Sequence, residues 1–599
     1  MNTSCLELRT RLEMEQCRLL NFAEATGLLD YEENDPLSES LESEKLVLIA
    51  VLTQIGCKLD DFSALTNRYK PLRKEDKTAS EAKNVKEDFI SLKKKWETSV
   101  KKSPKRRERL RGTNHLFKWY GMGVDIAKEP ERLWWAAVDE KVFKKVLQEL
   151  VEYNNYLHEL TRGQHAKKLE MTTRETYLEM VLVRGQVDEL KRLLVNSILL
   201  QDHQQVTATP RAAEANVEHG RLLHGLVDTK SQSLMNDEPD EKKPPAYEEA
   251  TRDTKLSYKS VDLLTELKKV DVMQQRVQTS GKYWPEGKSK TEERPSVQVW
   301  VEWKEYKTEI NDETRNSVAL PECLKRVKEL VALLQSCRLN AFRIPTCLGW
   351  YDYRDDDIER SLHAPLFGIV FRKEDQSDNS PDPISLLDLI KTEPRPSLSA
   401  RATLAHKLAD SVLYLHAVRW LHKSIRSDGI LFFPNTKTRE PDIREPYMTG
   451  FEYSRPDRTD AHSTHIPPSP RNEAYVHPSY QGVKARGTYR KSFDIYSLGI
   501  VLLEIAYWEP ILTILAKEFA TEAEPISSEV QLIQTILIET KPKYVENLKG
   551  MVGERYYTAV DSCLRVMAGK SDETAIEVSA KLQSDFTHLV VGNLGSVIV

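Results

Sequence analysis

His422-Lys-Ser-Ile-Arg-Ser-Asp-Gly-Ile-Leu431 forms a short polar loop after the helix-forming run Leu408-Ala-Asp-Ser-Val-Leu-Tyr-Leu-His416, and Gly450-Phe451-Glu452 follows it. Two of its residues set its chemical limits. The hydroxymethyl group of Ser424 cannot serve as a carboxylate base near neutral pH, and Gly429 offers no side-chain oxygen to a metal ion. The loop is therefore read as having no acid–base or metal chemistry of its own, and no cofactor is expected.

The flanking elements come in a clear order. Val297, Val299, Val301 and Trp303 alternate with Gln298, Trp300, Glu302 and Lys304, the period-two pattern of a half-buried strand. A helix fits Pro321 to Cys337, and short strands fit Thr346 to Tyr353 and Leu366 to Phe371. From Ser397 to Val566 the pattern is mostly helical, with a long loop between Asp442 and Arg490. A further short helix is expected from Ser260 to Gln278.

In this order the landmarks resemble those of a protein kinase, over roughly residues 280 to 580. His422 corresponds to the scaffold histidine of that family's catalytic loop, and Ser424 and Gly429 replace its catalytic Asp and metal-binding Asn. Ser492-Phe-Asp-Ile-Tyr-Ser-Leu-Gly-Ile-Val-Leu-Leu-Glu504 resembles the central helix of the large lobe. The resemblance implies that Asp494 accepts backbone N–H groups of the loop. Gly450-Phe451-Glu452 stands where the family has Asp-Phe-Gly, so Phe451 keeps a packing role while Gly450 has lost the carboxylate. Glu452 is weighed as a substitute metal ligand, but strand alternation aims it elsewhere. Ser479, in Tyr475-Val-His-Pro-Ser-Tyr480, replaces a Glu whose partner would be Arg565, and that pair is expected to be lost. Gly281 and Gly287 stand alone, without the clustered glycines of a phosphate cradle. Lys304 reads either as a surface strand lysine or as a relic of the phosphate-pairing lysine with Glu329 as its partner. Glu302, on the same face as Lys304, would crowd a base, repel a triphosphate and neutralise Lys304 directly. The resemblance implies a pseudokinase.

Residues 1 to about 200 read as helices, from Leu8, Leu12, Leu19 and Leu20 through Leu46-Val-Leu-Ile-Ala-Val-Leu52 to Phe143, Val146, Leu147, Leu150 and Val151. Leu6-Glu-Leu-Arg-Thr-Arg-Leu-Glu, Asn21-Phe-Ala-Glu-Ala-Thr-Gly-Leu28 and Trp135-Ala-Ala-Val-Asp-Glu-Lys-Val-Phe143 resemble segments of the fungal prion-inhibition-and-propagation (HeLo) domain. That family is a cell-death effector whose apolar first segment enters membrane. Because Leu6 aligns near the family's second helix, the membrane-seeking helix is expected to be missing here.

Composition narrows the remaining classes. A formal net charge of -5 with 30% charged residues gives no global field for nucleic acid, and no nucleic-acid partner is expected. Seven scattered cysteines argue for reduced thiols rather than a disulfide framework or zinc site. There is no signal peptide and no apolar run of about eighteen residues, so a cytoplasmic protein is expected. The basic stretch Lys93 to Arg111 suits anionic membrane or nuclear import, or a solvated loop. Pro244-Pro245-Ala-Tyr247 matches the Pro-Pro-x-Tyr ligand of WW domains. The apolar end, Val590 to Val599, is read as a final strand or disordered tail.

The expected architecture is multidomain. An all-α helical bundle spans 1–200, and a flexible linker with the Pro-Pro-x-Tyr match and a short helix spans 201–279. An α+β bilobal kinase-like domain spans 280–580, and a tail spans 581–599. The expected function is a non-catalytic fungal signalling or scaffold protein, with a HeLo-like module regulated by a pseudokinase, in heterokaryon incompatibility or programmed cell death. Two other readings stay open: an atypical ATP-binding kinase using Lys304, Glu329 and Glu452, and a WW-binding adaptor centred on Tyr247.

Overall fold

The computed structural model describes residues 3–26, 140–160, 221–231, 254–264, 278–285, 295–310, 317–336, 340–354, 365–377, 381–435, 438–457, 469–481, 488–519, 533–539, 543–566 and 576–597, with scattered positions between 51 and 234. Leu46 to Ala50 and Leu52, Trp134 to Asp139, the basic stretch Lys93–Arg111, the Pro244–Tyr247 motif and Gly287 lie outside the described residues. The chain divides into two compact units, Met1–Val227 and Asp228–Val599.

In the first unit, helix α1 (Thr3–Ala25) packs with α2 (Glu140–Glu159). Leu12, Met14, Cys17, Leu19, Phe22 and Ala23 of α1 are buried, as are Leu147, Leu150, Val151 and Leu157 of α2. Buried positions surround α1, which makes it a core helix rather than a surface one. Among the described residues, Glu15 and Arg18 enter this core as part of a connected set. Arg18 Nη1 pairs with Glu15 at 3.0 Å and Arg18 Nη2 donates to Asn155 Oδ1 at 2.6 Å. Asn154 Nδ2 donates to Glu15 Oε2 at 2.9 Å, and Thr176 donates to Asn21 at 3.1 Å. Such pairing is what allows an ion pair to persist away from water.

The second unit opens with an antiparallel sheet in the order β1 (Val261–Leu263), β2 (Gln278–Tyr283), β3 (Val297–Glu305), β7 (Leu366–Arg372), β6 (Cys347–Asp352). The small hairpin β4 (Thr308–Ile310) and β5 (Ser317–Ala319) leads into helix α3 (Pro321–Ser336), which packs on β6. Val299, Val301 and Trp303 of β3 point into a core with Val261, Tyr351, Leu366 and Val370.

Three differences from the sequence reading have physical causes. The helix expected over Ser260–Gln278 is replaced at its ends by strands, β1 pairing Val261 with Tyr283 and Leu263 with Gly281. A three-residue strand is too short for its period to be told from a helix turn, and the sheet therefore begins before residue 280. Strand β3 is buried on both faces rather than one, because Trp300 and Glu302 meet the elements that follow the sheet. The apolar end is helical. Helix α10 (Ile576–Phe586) runs on through a wide turn, Thr587–Gly592, to Gly595, burying Val590, Val591 and Leu594. Packing against neighbouring helices has overridden the β-propensity of its valines.

The short helix α4 (Leu386–Thr392) leads into the helical part, which is built on two long helices, α5 (Leu398–Ala417) and α6 (Lys491–Tyr507). Ser397 caps α5 by accepting the Ala400 N–H. Every residue of α6 from Lys491 to Ala506 is buried, so it is an axial helix enclosed on all sides. Arg401 of α5 donates to the carbonyl oxygens of Ile505 and Ala506, satisfying the C-terminal end of α6. Trp508, in the left-handed conformation, ends α6 before α7 (Ile511–Phe519). Helices α8 (Tyr544–Val552) and α9 (Glu554–Leu564) complete this part.

Truncation after Asp585 removes Phe586, Val590, Val591 and Leu594 from the core. At ~1.5–3 kcal/mol per buried apolar side chain the loss rivals a domain's net stability. The truncated chain is expected to lose the cooperative melting transition of the second unit in a calorimetric scan.

Candidate functional site

The loop His422–Leu431 is held by one carboxylate. Asp494, in the first turn of α6, accepts the backbone N–H of His422 and of Lys423, each at 2.8 Å. Tyr489 donates its hydroxyl to the same carboxylate at 2.9 Å, and His416 Nε2 lies 3.2 Å away. Burial opposes ionisation of Asp494, but the hydrogen bond and charge of His416, the charge of His422 and its N–H outweigh it and hold this carboxyl below the usual range.

Around that anchor the loop is packed rather than open. The His422 ring rests on Phe451, centroids 4.5 Å apart. Its Nδ1 accepts the Ser424 N–H at 3.3 Å, and Ser424 itself is buried. Lys423 takes a left-handed backbone and is buried with its ammonium 5.4 Å from the Tyr489 ring. Burial, then the positive charges of Arg455, Lys304 and Arg326, push it down to about 7. Gly429 stands where the resemblance implies a metal-binding side chain, and its carbonyl oxygen accepts both the N–H (2.9 Å) and the hydroxyl (3.0 Å) of Thr449.

Strand β3 and the turn Phe451–Tyr453 complete the site. The Glu302 carboxylate accepts the N–H of Gly450, at 3.0 and 3.2 Å to its two oxygens. Gly450 has φ +81°, a conformation open to glycine at little cost. Lys304 donates to the backbone carbonyl of Glu452. Burial lowers Lys304 to about 8, while the Glu452 charge pulls it upward. Beside them Trp300 stacks on Phe371, centroids 4.5 Å apart and planes within 14°, with Phe433 6.4 Å away. Asp382 links the neighbouring β2 to the segment after β7, accepting from Ser280 and from Lys373, the latter at 3.0 Å.

This geometry revises several pairings read from the sequence. Glu302 does not neutralise Lys304 directly; its carboxylate is turned to Gly450. The bonds of Lys304 run to Glu452, whose main-chain oxygen is the acceptor, whereas Glu329 is buried on α3. Lys304 is therefore not an open surface lysine. Arg565 pairs with Asp561 at 2.7 Å, and His477 Nε2 contacts the carbonyl oxygen of Val566 at 3.1 Å.

Sequence reasoning missed a second buried network. The Tyr475 hydroxyl donates to Glu504 Oε1 at 2.7 Å and lies 2.9 Å from Ser427 Oγ. The N–H of Ile511, opening α7, donates to the same Glu504 oxygen at 2.8 Å. An acid inside an otherwise apolar helix was the available signal, since such a group needs partners. Trp300 was missed because the period-two pattern put it on the polar side of β3.

Residues 1–193 match the family model for prion-inhibition and propagation (HeLo), and the chain carries that domain there. Residues 358–594 match a domain of unknown function, DUF7580. No curated protein matches the chain. The second match starts between β6 and β7, although β7 is the strand that joins β3 to β6. Among the described residues no helix is long and apolar enough to cross a membrane.

Two outcomes follow from these contacts. A fragment of residues 358–594 strips β7 of both neighbours and is expected to aggregate, whereas residues 250–599 are expected to melt cooperatively, as read by circular dichroism. Burial raises Glu504 from 4.5 to about 7. The unfolded chain therefore ionises first, and stability present below pH 4.5 is lost as pH rises towards 7. The loss is ~3 kcal/mol at ~1.4 kcal/mol per pKa unit. Denaturant melts of wild type are expected to show this decline between those pH values, and Glu504→Gln to lack it.

Proposed function

We propose that the second unit is a degenerate kinase-like platform that neither binds nucleotide nor transfers phosphate, and that it regulates the HeLo domain. The observation that carries this reading is the self-occupied face of β3. Where the kinase resemblance implies a nucleotide, Trp300 is stacked on Phe371, Glu302 binds the Gly450 N–H and Lys304 binds the Glu452 carbonyl. A phosphate would have to displace a buried carboxylate and break both links.

The supporting geometry is of two kinds. A five-stranded antiparallel sheet with one helix, followed by a helical part built on α5 and α6, suits a two-lobed order. Asp494 gripping the His422–Lys423 backbone and His422 resting on Phe451 suit a retained scaffold. The chemistry of a transferase is another matter: Ser424, Gly429 and Gly450 supply neither a base nor metal ligands, and positioning around metal-bound phosphate is most of that catalysis. The HeLo match supports a role in fungal signalling linked to cell death or heterokaryon incompatibility.

Thermal-shift titration of the full chain with ATP and magnesium tests the reading. No stabilisation is expected, and none of the nucleotide's terminal phosphate is expected on any protein. Metal-dependent stabilisation that Lys304→Ala abolishes would establish the kinase reading instead.

A further inference from the structure

We propose that Thr254–Leu263 is a strap that holds the junction between β3 and Gly450 closed. This rests on the preceding reading of that junction as the closed nucleotide position.

The strap pairs at both ends of the sheet. At one end Lys255 bridges Trp350 of β6 in parallel, the Leu256 N–H donating to the Trp350 carbonyl at 2.7 Å and the Trp350 N–H to the Thr254 carbonyl at 2.9 Å. After the turn Tyr258–Ser260, β1 pairs with β2 at the opposite end, extended by Trp284 N–H to Ser260 and Leu264 N–H to Ser280, each at 2.9 Å. Both seams need glycine. A methyl group at Gly349 would lie 2.5 Å from the Thr254 oxygen, and one at Gly281 would run into the Asp262 oxygen. Leu256 and Leu263 pack against the core that contains Trp303.

From either seam the route to the junction is short. Trp303 donates to Thr279 of β2 at 3.0 Å and packs edge-on against Tyr351 of β6, 5.9 Å between centroids. It therefore touches the two strands that hold the strap. Its chain neighbours Glu302 and Lys304 make the two links to Gly450 and Glu452. A strap pulled from β6 or from β2 removes support from one side of Trp303, and β3 is what holds the Gly450 turn. Chain that enters from residues before Thr254 is attached at this point.

Amide hydrogen exchange on the full chain decides the matter. Leu256→Pro removes the N–H donated to Trp350, and Lys255→Glu removes the cation lying over the Trp350 ring. Both variants are expected to speed exchange at Gly281–Tyr283 and at Gly450, by about tenfold for the proline, with α6 unchanged. Gly450 keeping its protection while Gly281–Tyr283 lose theirs would overturn the proposal. Equal loss in α6 would also overturn it, as general destabilisation. If the proline variant does not fold, Lys255→Glu alone decides, with the same direction expected and the same overturning results. Nucleotide binding in the thermal-shift titration would instead sink the reading of the junction, whatever the exchange shows.

Discussion

The buried carboxylate of Asp494 is the interaction on which the second unit turns. It takes two backbone N–H groups from one loop, a hydroxyl from Tyr489 and an imidazole contact from His416. A charge fully out of water survives only when donors surround it. Those donors come from the chain before α6, from the end of α5 and from the loop beyond, so the charge fixes three pieces of backbone at once. Lys423 can be held in a left-handed conformation because its N–H is one of these donors.

A second theme is the use of polar groups for closure rather than chemistry. Glu302, Lys304, Ser424 and Gly429 are the residues on which the sequence reading of this site turned. Each is engaged within the fold: Glu302 and Lys304 bind the main chain of Gly450 and Glu452, the Ser424 N–H donates to the His422 ring, and the Gly429 carbonyl accepts from Thr449. The aromatic stack of Trp300 and Phe371 fills the adjoining space. Close packing and these main-chain hydrogen bonds favour a rigid junction. The buried ion pair of Glu15 and Arg18 in α1 follows the same rule in the other unit.

The sequence made the long elements legible and left the short ones obscure. Helix α6 covers the run Ser492–Glu504 that reads as a helix, and strand β3, helix α3 and strand β7 lie close to where their residue patterns put them. Val261–Leu263 did not, because three residues carry no usable period. The end beyond Thr587 was misread because its valines favour strands in isolation and only the neighbouring helices turn them into helix. Within the site, Asp494, His422 and Phe451 were legible from motif order. The partners of Glu302 and Lys304 were not, since both lie near residue 450 and no local rule links positions so far apart.

That separation bears on how the protein is made. Glu302 and Gly450 are 148 residues apart, so β3 leaves the ribosome long before the turn that covers its outer face. Until Phe371 and Phe433 follow, Trp300 lacks its stacking partners on the nascent strand, a surface prone to sticking. The two charges beside it, Glu302 and Lys304, keep that face wetted until synthesis reaches its cover. Side chains that close the mature junction thus also act as gatekeepers against premature association.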